Sequence, residues 1–212
     1  SGVMEILEGS GGRDMKTGSA VEDSMEIGIS RICVSEAVIE DEAYERLTSL
    51  CEMRGIPVCR LKAGDRIEAR GLRFEVLHPQ GDYETDSRNA YSLVMRLRTD
   101  DNVTALLTGD VEADGEQAAA KRLCDLSDPA GIDIYKATHH GSRYSNTQEL
   151  ISLTRPKLAV ISCGEGNSYG HPHAETIEKL EDIGSDIRIT KDTGAIFIQI
   201  KNGKYRVEDY IK

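Results

Sequence analysis

A chain of 212 residues, 39% hydrophobic and 30% charged, is long enough to bury one sizeable core and has the ordinary composition of a globular domain. Its formal charge of −11 at pH 7 argues against a broad basic face for nucleic acid or anionic lipid, so any polyanion handled here must be met by metal ions or a few local cations. No apolar run approaches the roughly 18 residues of a membrane-spanning helix and no charged-then-apolar leader opens the chain, so the sequence reads as a soluble piece.

The chain opens Ser1-Gly2-Val3, with Val3, Met4, Ile6 and Leu7 apolar, which reads as a fragment of helix. Gly9-Ser10-Gly11-Gly12 follows, and the polar, glycine-rich stretch up to about 25 reads as a flexible loop. From 26 to 212 the pattern is that of a single α/β domain. A strand is predicted over 29–35 and a helix over 41–54, whose Tyr44, Leu47, Leu50 and Cys51 share one face before Gly55 stops it. Short hairpin-like strands follow over 57–61, 66–70 and 72–78, then a turn at His78-Pro79-Gln80-Gly81-Asp82 and a polar loop to Asn89.

Strands over 91–99 and 103–108 are joined by Asp100-Asp101-Asn102, and the second is apolar enough for burial on both faces. A helix is predicted over 112–124. Strands over 132–137, 158–163, 187–190 and 195–200 complete the chain, the first three separated by helices over 148–153 and 174–183. Hairpins in the middle and alternating helices and strands afterwards imply a two-sheet sandwich with helices outside. Cys33, Cys51, Cys59, Cys124 and Cys163 contain no CxxC pair and are odd in number; most sit in apolar runs and read as small core residues.

Chemistry concentrates at strand exits. Asp110 ends Leu-Leu-Thr-Gly-Asp and reads either as the N-cap of the next helix or as a metal-bridging carboxylate. His139 and His140 end the strand over 132–137 and precede Gly141-Ser142, which lets backbone approach a ligand; in an extended chain only one of the pair faces a given metal. His171 and His173 bracket Pro172, as metal-site imidazoles or as part of a helix start. Ser142, Ser145 and Asn146 suit an anion pocket, and Ser145-Asn146-Thr147 also reads as a helix cap. Asn89 and Ser92 either orient a phosphate or cap a turn, and His78 reads as structural.

The segments 106–110, 136–142 and 167–173, with Asn89-x-x-Ser92, resemble the C-terminal metallo-β-lactamase-like domain of ComEC-type competence proteins, membrane channels for bacterial DNA uptake. The resemblance implies an αββα sandwich lacking its N-terminal portion. It implies a two-metal centre of zinc or manganese, with Asp110 as bridging ligand, His140 as a ligand and His139 close by. His171 would stand at the substrate edge, and Ser142, Asn89 and Ser92 would contact substrate.

The implied activity is hydrolysis of DNA, single strand or duplex. The implied partner is the channel portion of a full-length plasma-membrane protein, the domain being on the outer face. The family's first metal-binding signature, of the form His-x-His-x-Asp-His, is absent, because no histidine occurs before His78. The chain is therefore expected to start after those ligands and to be inactive alone. A non-catalytic binding module and a stand-alone hydrolase of small esters or phosphodiesters are the alternatives.

Overall fold

The computed structural model describes residues 28–80, 87–126 and 131–210; the helix and loop expected over 1–25, and the Gly81-Asp82 end of the turn, lie outside them. Within the single domain read over 26–212, the described residues fall into two compact units. One comprises the chain up to Val34 with Val38–Arg60, the other Ser35–Ala37 with Leu61 onward.

The smaller unit carries the helix α1 (Glu42–Met53) between β1 (Ile32–Ser35) and β2 (Val58–Leu61), which pair as a two-stranded sheet. The helix starts where its sequence requires: the Asp41 carboxylate accepts the Tyr44 N–H at 3.1 Å, satisfying one of the free donors of the first turn. Of its predicted apolar face, Cys51 is fully buried.

The larger unit is built on a seven-stranded sheet in the order β3 (Arg66–Ala69), β4 (Leu72–His78), β5 (Val94–Thr99), β6 (Thr104–Leu107), β7 (Ile134–Lys136), β8 (Leu158–Ile161), β9 (Asp186–Ile189). Neighbours from β3 to β6 are antiparallel and those from β6 to β9 parallel. Each parallel step is crossed by one helix: α2 (Ala113–Cys124), α3 (Gln148–Thr154) and α4 (Ala174–Asp182). Because the strands are laid down in one direction and such crossovers are right-handed, all three helices fall on one face. Leu106, Tyr135, Ala159 and Ile161 point from the sheet into that helical core, with Ala119, Leu123, Leu150, Ile151 and Leu180 opposite.

The alternate residues of the same strands face the other way. Val103, Ala105, Ile134 and Leu158 pack under Ile198, Ile200, Tyr205 and Val207, which belong to the hairpin β10 (Ala195–Lys201) and β11 (Lys204–Tyr210). The 103–108 strand is thus buried on both faces, as its composition requires, and a second sheet covers the first. Full burial of a side chain such as Leu158 contributes about 2 kcal/mol.

Three elements differ from the sequence reading. The segment predicted as the start of a strand at 91 is a 3-10 turn over Asn89–Tyr91, and β5 begins at Val94. Strand β9 ends at Ile189 and the chain turns into a short helix α5, Thr190–Thr193. Strand β11 was not expected; its signal was Asn202-Gly203, whose φ values of 54° and 68° fit a tight hairpin turn. Of the five cysteines, most of which read as core residues, Cys51 is buried, Cys33, Cys59 and Cys163 are half-buried, and Cys124 is exposed at the end of α2.

Candidate functional site

The carboxyl ends of β6, β7 and β8 open at one edge of the sheet, the edge at which α/β sheets bind ligands. Parallel register sets the level of the two exit loops: Leu107 is paired with Lys136, so Asp110 and His139 each stand three residues beyond the last rung. The two loops are tied directly, the His139 N–H donating to the Gly109 carbonyl at 3.0 Å and the Thr108 hydroxyl to the Lys136 carbonyl at 2.7 Å.

Asp110 is not a helix cap. The N-cap of α2 is Glu112, which makes no side-chain capping bond, and the Asp110 carboxylate is left half-exposed at the sheet edge. Its own N–H donates to the Ser92 hydroxyl at 3.1 Å. Ser92 therefore holds the backbone of Asp110, while Asn89 contributes its carbonyl to the Ser92 N–H at 3.0 Å.

His139 and His140 do not alternate as in a strand. Both are left-handed, with φ/ψ of 47°/48° and 56°/24°, and Gly141 follows at φ 81°. Each non-glycine residue in that region costs about 1–2 kcal/mol, which the surrounding hydrogen bonds must offset. The turn aims the His140 ring at Asp110. His140 Nδ1 stands 2.6 Å from the Ser162 carbonyl, which can only accept, so Nδ1 carries a proton and Nε2 faces Asp110 Oδ1 at 3.5 Å.

The remaining imidazoles close around this pair. The His171 ring lies 5.7 Å from His139 and 6.2 Å from His140, centroid to centroid, and His173 stands 5.0 Å from His171. Burial lowers the pKa of His171, and the neighbouring His173, His139 and His140 lower it further, against the opposing pull of Asp110. His173 is committed locally: its Nδ1 accepts the Arg143 N–H at 3.2 Å, and it is the N-cap residue of α4. Pro172 accordingly stands before the cap and not in the helix.

Lys136 adds a cation beside Asp110. Burial lowers its pKa, which the aspartate partly restores, and Nζ donates to the Ala137 carbonyl at 2.9 Å. Exposed Tyr169 stacks on His171 with centroids 5.7 Å apart.

Ser142 is 1% exposed, and its hydroxyl accepts the Tyr144 N–H at 3.3 Å inside the turn. Ser145 donates to the Val111 carbonyl at 2.9 Å, and Thr147, the last residue of the predicted Ser-Asn-Thr cap, caps α3. The structure thus brings Asp110, His139, His140 and His171 together, and places Ser142 and Ser92 in their supports. His78 is fully buried, with Nε2 2.7 Å from the Ala90 carbonyl, in the structural role read from its sequence. Sequence reasoning passed over Glu116 and Tyr135, whose buried polar atoms anchor the histidine turn.

In donor chemistry, Asp110 and His140 fit one edge of a divalent-ion site. Two ligands of a tetrahedral ion with bonds of about 2.0–2.1 Å stand about 3.3 Å apart, near the separation found here, and the Ser162 carbonyl supplies the outer contact that orients a ligating histidine. The buried His139 Nδ1 has no hydrogen-bond partner. Among the described residues, however, no group of three or more histidine, cysteine, aspartate or glutamate side chains is arranged to hold a metal. The fit is that of a partial ligand set.

A carboxylate and clustered imidazoles at adjacent parallel-strand exits place the chain in the class of mixed α/β domains with a sheet-edge polar site. It is 29% identical over 174 residues to "ComE operon protein 3" of Bacillus subtilis, covering 82% of this chain and 22% of that protein. It is 32% identical over 139 residues to "Recombination protein 2" of Haemophilus influenzae, covering 66% of this chain and 17% of that protein. A third relative is "Uncharacterized protein YcaI" of Escherichia coli, at 33% over 110 residues. No family model matches the chain. These matches show the likeness to ComEC-type competence proteins read from the sequence. The chain spans about a fifth of the length of the two relatives it matches most broadly. No helix among the described residues is long and apolar enough to cross a membrane.

Proposed function

We propose that this chain belongs to the hydrolytic domain of a ComEC-type DNA-uptake protein, with a metallo-β-lactamase-like αββα architecture, which with its full ligand set cleaves phosphodiester bonds of DNA with divalent zinc or manganese; with Asp110 and His140 alone the chain binds metal weakly and hydrolyses little. The observation that carries this reading is the apposition of Asp110 Oδ1 and His140 Nε2 at 3.5 Å on adjacent strand exits, with His139 and His171 beside them. When bound, a divalent ion there would supply Lewis acidity and neutralise charge on the phosphodiester. Asp110 and His140 would hold it. Ser92 and Ser162 hold these two residues in turn, by the Asp110 N–H and the His140 Nδ1–H respectively.

His171, kept towards its neutral form by burial and by neighbouring imidazoles, stands at the substrate edge. Lys136 offsets part of the negative charge at Asp110. The partner in this reading is the membrane-channel part of the same full-length protein in the plasma membrane, with the domain on its outer face. A non-catalytic module of that protein is the second reading, favoured by the internal satisfaction of the Ser142 and Asn146 side chains within the turn.

The test is Mn²⁺ or Zn²⁺ titration of this chain, followed by hydrolysis of single-stranded and duplex DNA. Weak saturable binding lost in Asp110→Ala, with slow cleavage lost in the same variant, supports the hydrolase. Equal metal uptake by wild type and Asp110→Ala overturns the metal reading and leaves the binding module.

A further inference from the structure

The left-handed pair His139–His140 is disfavoured by its own backbone, so something outside the pair must hold it. The Asn146 side chain spans the turn. Its Oδ1 accepts the Thr138 N–H and the Tyr135 hydroxyl, each at 2.9 Å, and its Nδ2 donates to the Thr138 carbonyl at 2.9 Å and the Ser142 carbonyl at 3.1 Å. One amide thus grips the residue before the histidines and the residue after Gly141, and its two ends are distinguished by what they bond. Asn146 is itself left-handed, at φ 58°.

Asn146 is held in turn by Glu116, a fully buried carboxylate of α2, whose two oxygens accept the Asn146 and Thr147 N–H groups at 2.7 Å each. Lys179 of α4 donates to the Asn146 carbonyl at 3.0 Å, and Thr176 to the Ser142 carbonyl at 3.2 Å. A charged group placed in the apolar helical layer, with both oxygens spent on backbone of one loop, is costly unless the loop geometry matters.

We propose that Asn146, seated by Glu116, is a positioning residue for the histidine pair: its amide bridges Thr138 and Ser142 and sets the direction in which His140 presents Nε2 to Asp110. The Asn146 amide and both Glu116 oxygens are buried and engaged within the turn and its flanking loop, so both act through the turn. The metal-affinity part of the test rests on the proposed function, and the imidazole part does not.

The experiment compares wild type, Asn146→Gly, Asn146→Asp, Glu116→Gln and Leu180→Ala by imidazole ¹⁵N–¹H spectra and Mn²⁺ titration. Asn146→Gly removes the amide while tolerating the positive φ; Asn146→Asp keeps the acceptor and loses the two donated bonds. Leu180→Ala, a buried apolar truncation in α4, controls for lost stability. Shifted His139 and His140 signals in Asn146→Gly and in Asn146→Asp, unshifted in Leu180→Ala, support the clamp, as does a loss of Mn²⁺ affinity of about tenfold or more. His139 and His140 signals unchanged in folded Asn146→Gly or Asn146→Asp overturn it. If wild type takes up no Mn²⁺, the metal reading fails and the imidazole signals still decide the clamp.

Discussion

Gly141 and Pro172 lock the two histidine-bearing loops together: a Cβ on Gly141 would stand 2.6 Å from Pro172 Cβ and 3.2 Å from its Cα. The contact joins the turn after β7 to the entry of α4, and the His173 N–H donates to the Gly141 carbonyl at 3.0 Å beside it. Gly141→Ala combines a positive φ with overpacking against backbone, and is expected to cost about 2–4 kcal/mol. Gly164→Ala, in open space, is expected to stay within about 0.5 kcal/mol of wild type. Urea midpoints of the two variants check this, and equal midpoints would refute the locked contact.

Asp110 and His140 are expected to be coupled in metal binding. In a double-mutant cycle of Asp110→Asn and His140→Gln, residual Mn²⁺ affinity should fall with either change and scarcely further with both, because they hold one ion. Strict additivity in calorimetric titration would place the ion elsewhere.

His78 gives the stability a pH dependence of known sign. Burial lowers its pKa below the ordinary 6.5, although the Ala90 carbonyl and Gln80 pull the other way. Above pH 6.5 folded and unfolded chains are both neutral there. As pH falls below 6.5 the unfolded chain takes up a proton that the folded chain refuses, so stability is lost down to the folded value. Between pH 6.5 and 5.5 the wild type should lose more stability than His78→Gln, by up to about 1 kcal/mol. Parallel losses measured by urea denaturation would mean that folded His78 protonates normally.

Glu75 and Arg96 form a buried pair across β4 and β5, with Arg96 Nε 2.8 Å from Glu75 Oε2. Removing the carboxylate takes its hydrogen bonds from a buried guanidinium, and Glu75→Ala is expected to cost about 2 kcal/mol. Glu208→Ala, from the exposed pair with Arg206, should change stability by less than about 0.5 kcal/mol. Thermal unfolding of both variants tests the contrast, and a small loss in Glu75→Ala would show that other partners carry Arg96.

Much of this arrangement is legible in the order of residues along the chain. Apolar runs, alternating or continuous, locate β4 to β8, the Asp41 cap locates α1, and Asp110, His139, His140 and His171 are marked by their places at segment ends. Strand β11 escapes because only Tyr205 and Val207 carry its alternation against Lys204, Arg206 and Glu208, too short a period to stand out beside the Asn202-Gly203 turn.

The sequence by itself determined which side chains stand at strand exits, since hydrophobic period and turn residues are local properties. Tertiary structure alone decided how those exits meet. The Leu107–Lys136 register levels Asp110 with the histidine pair, and the Glu116–Asn146 bonds hold that pair in a left-handed turn that no local preference favours. Register and buried hydrogen bonds depend on residues roughly 30 positions apart, and no periodicity along the chain encodes them.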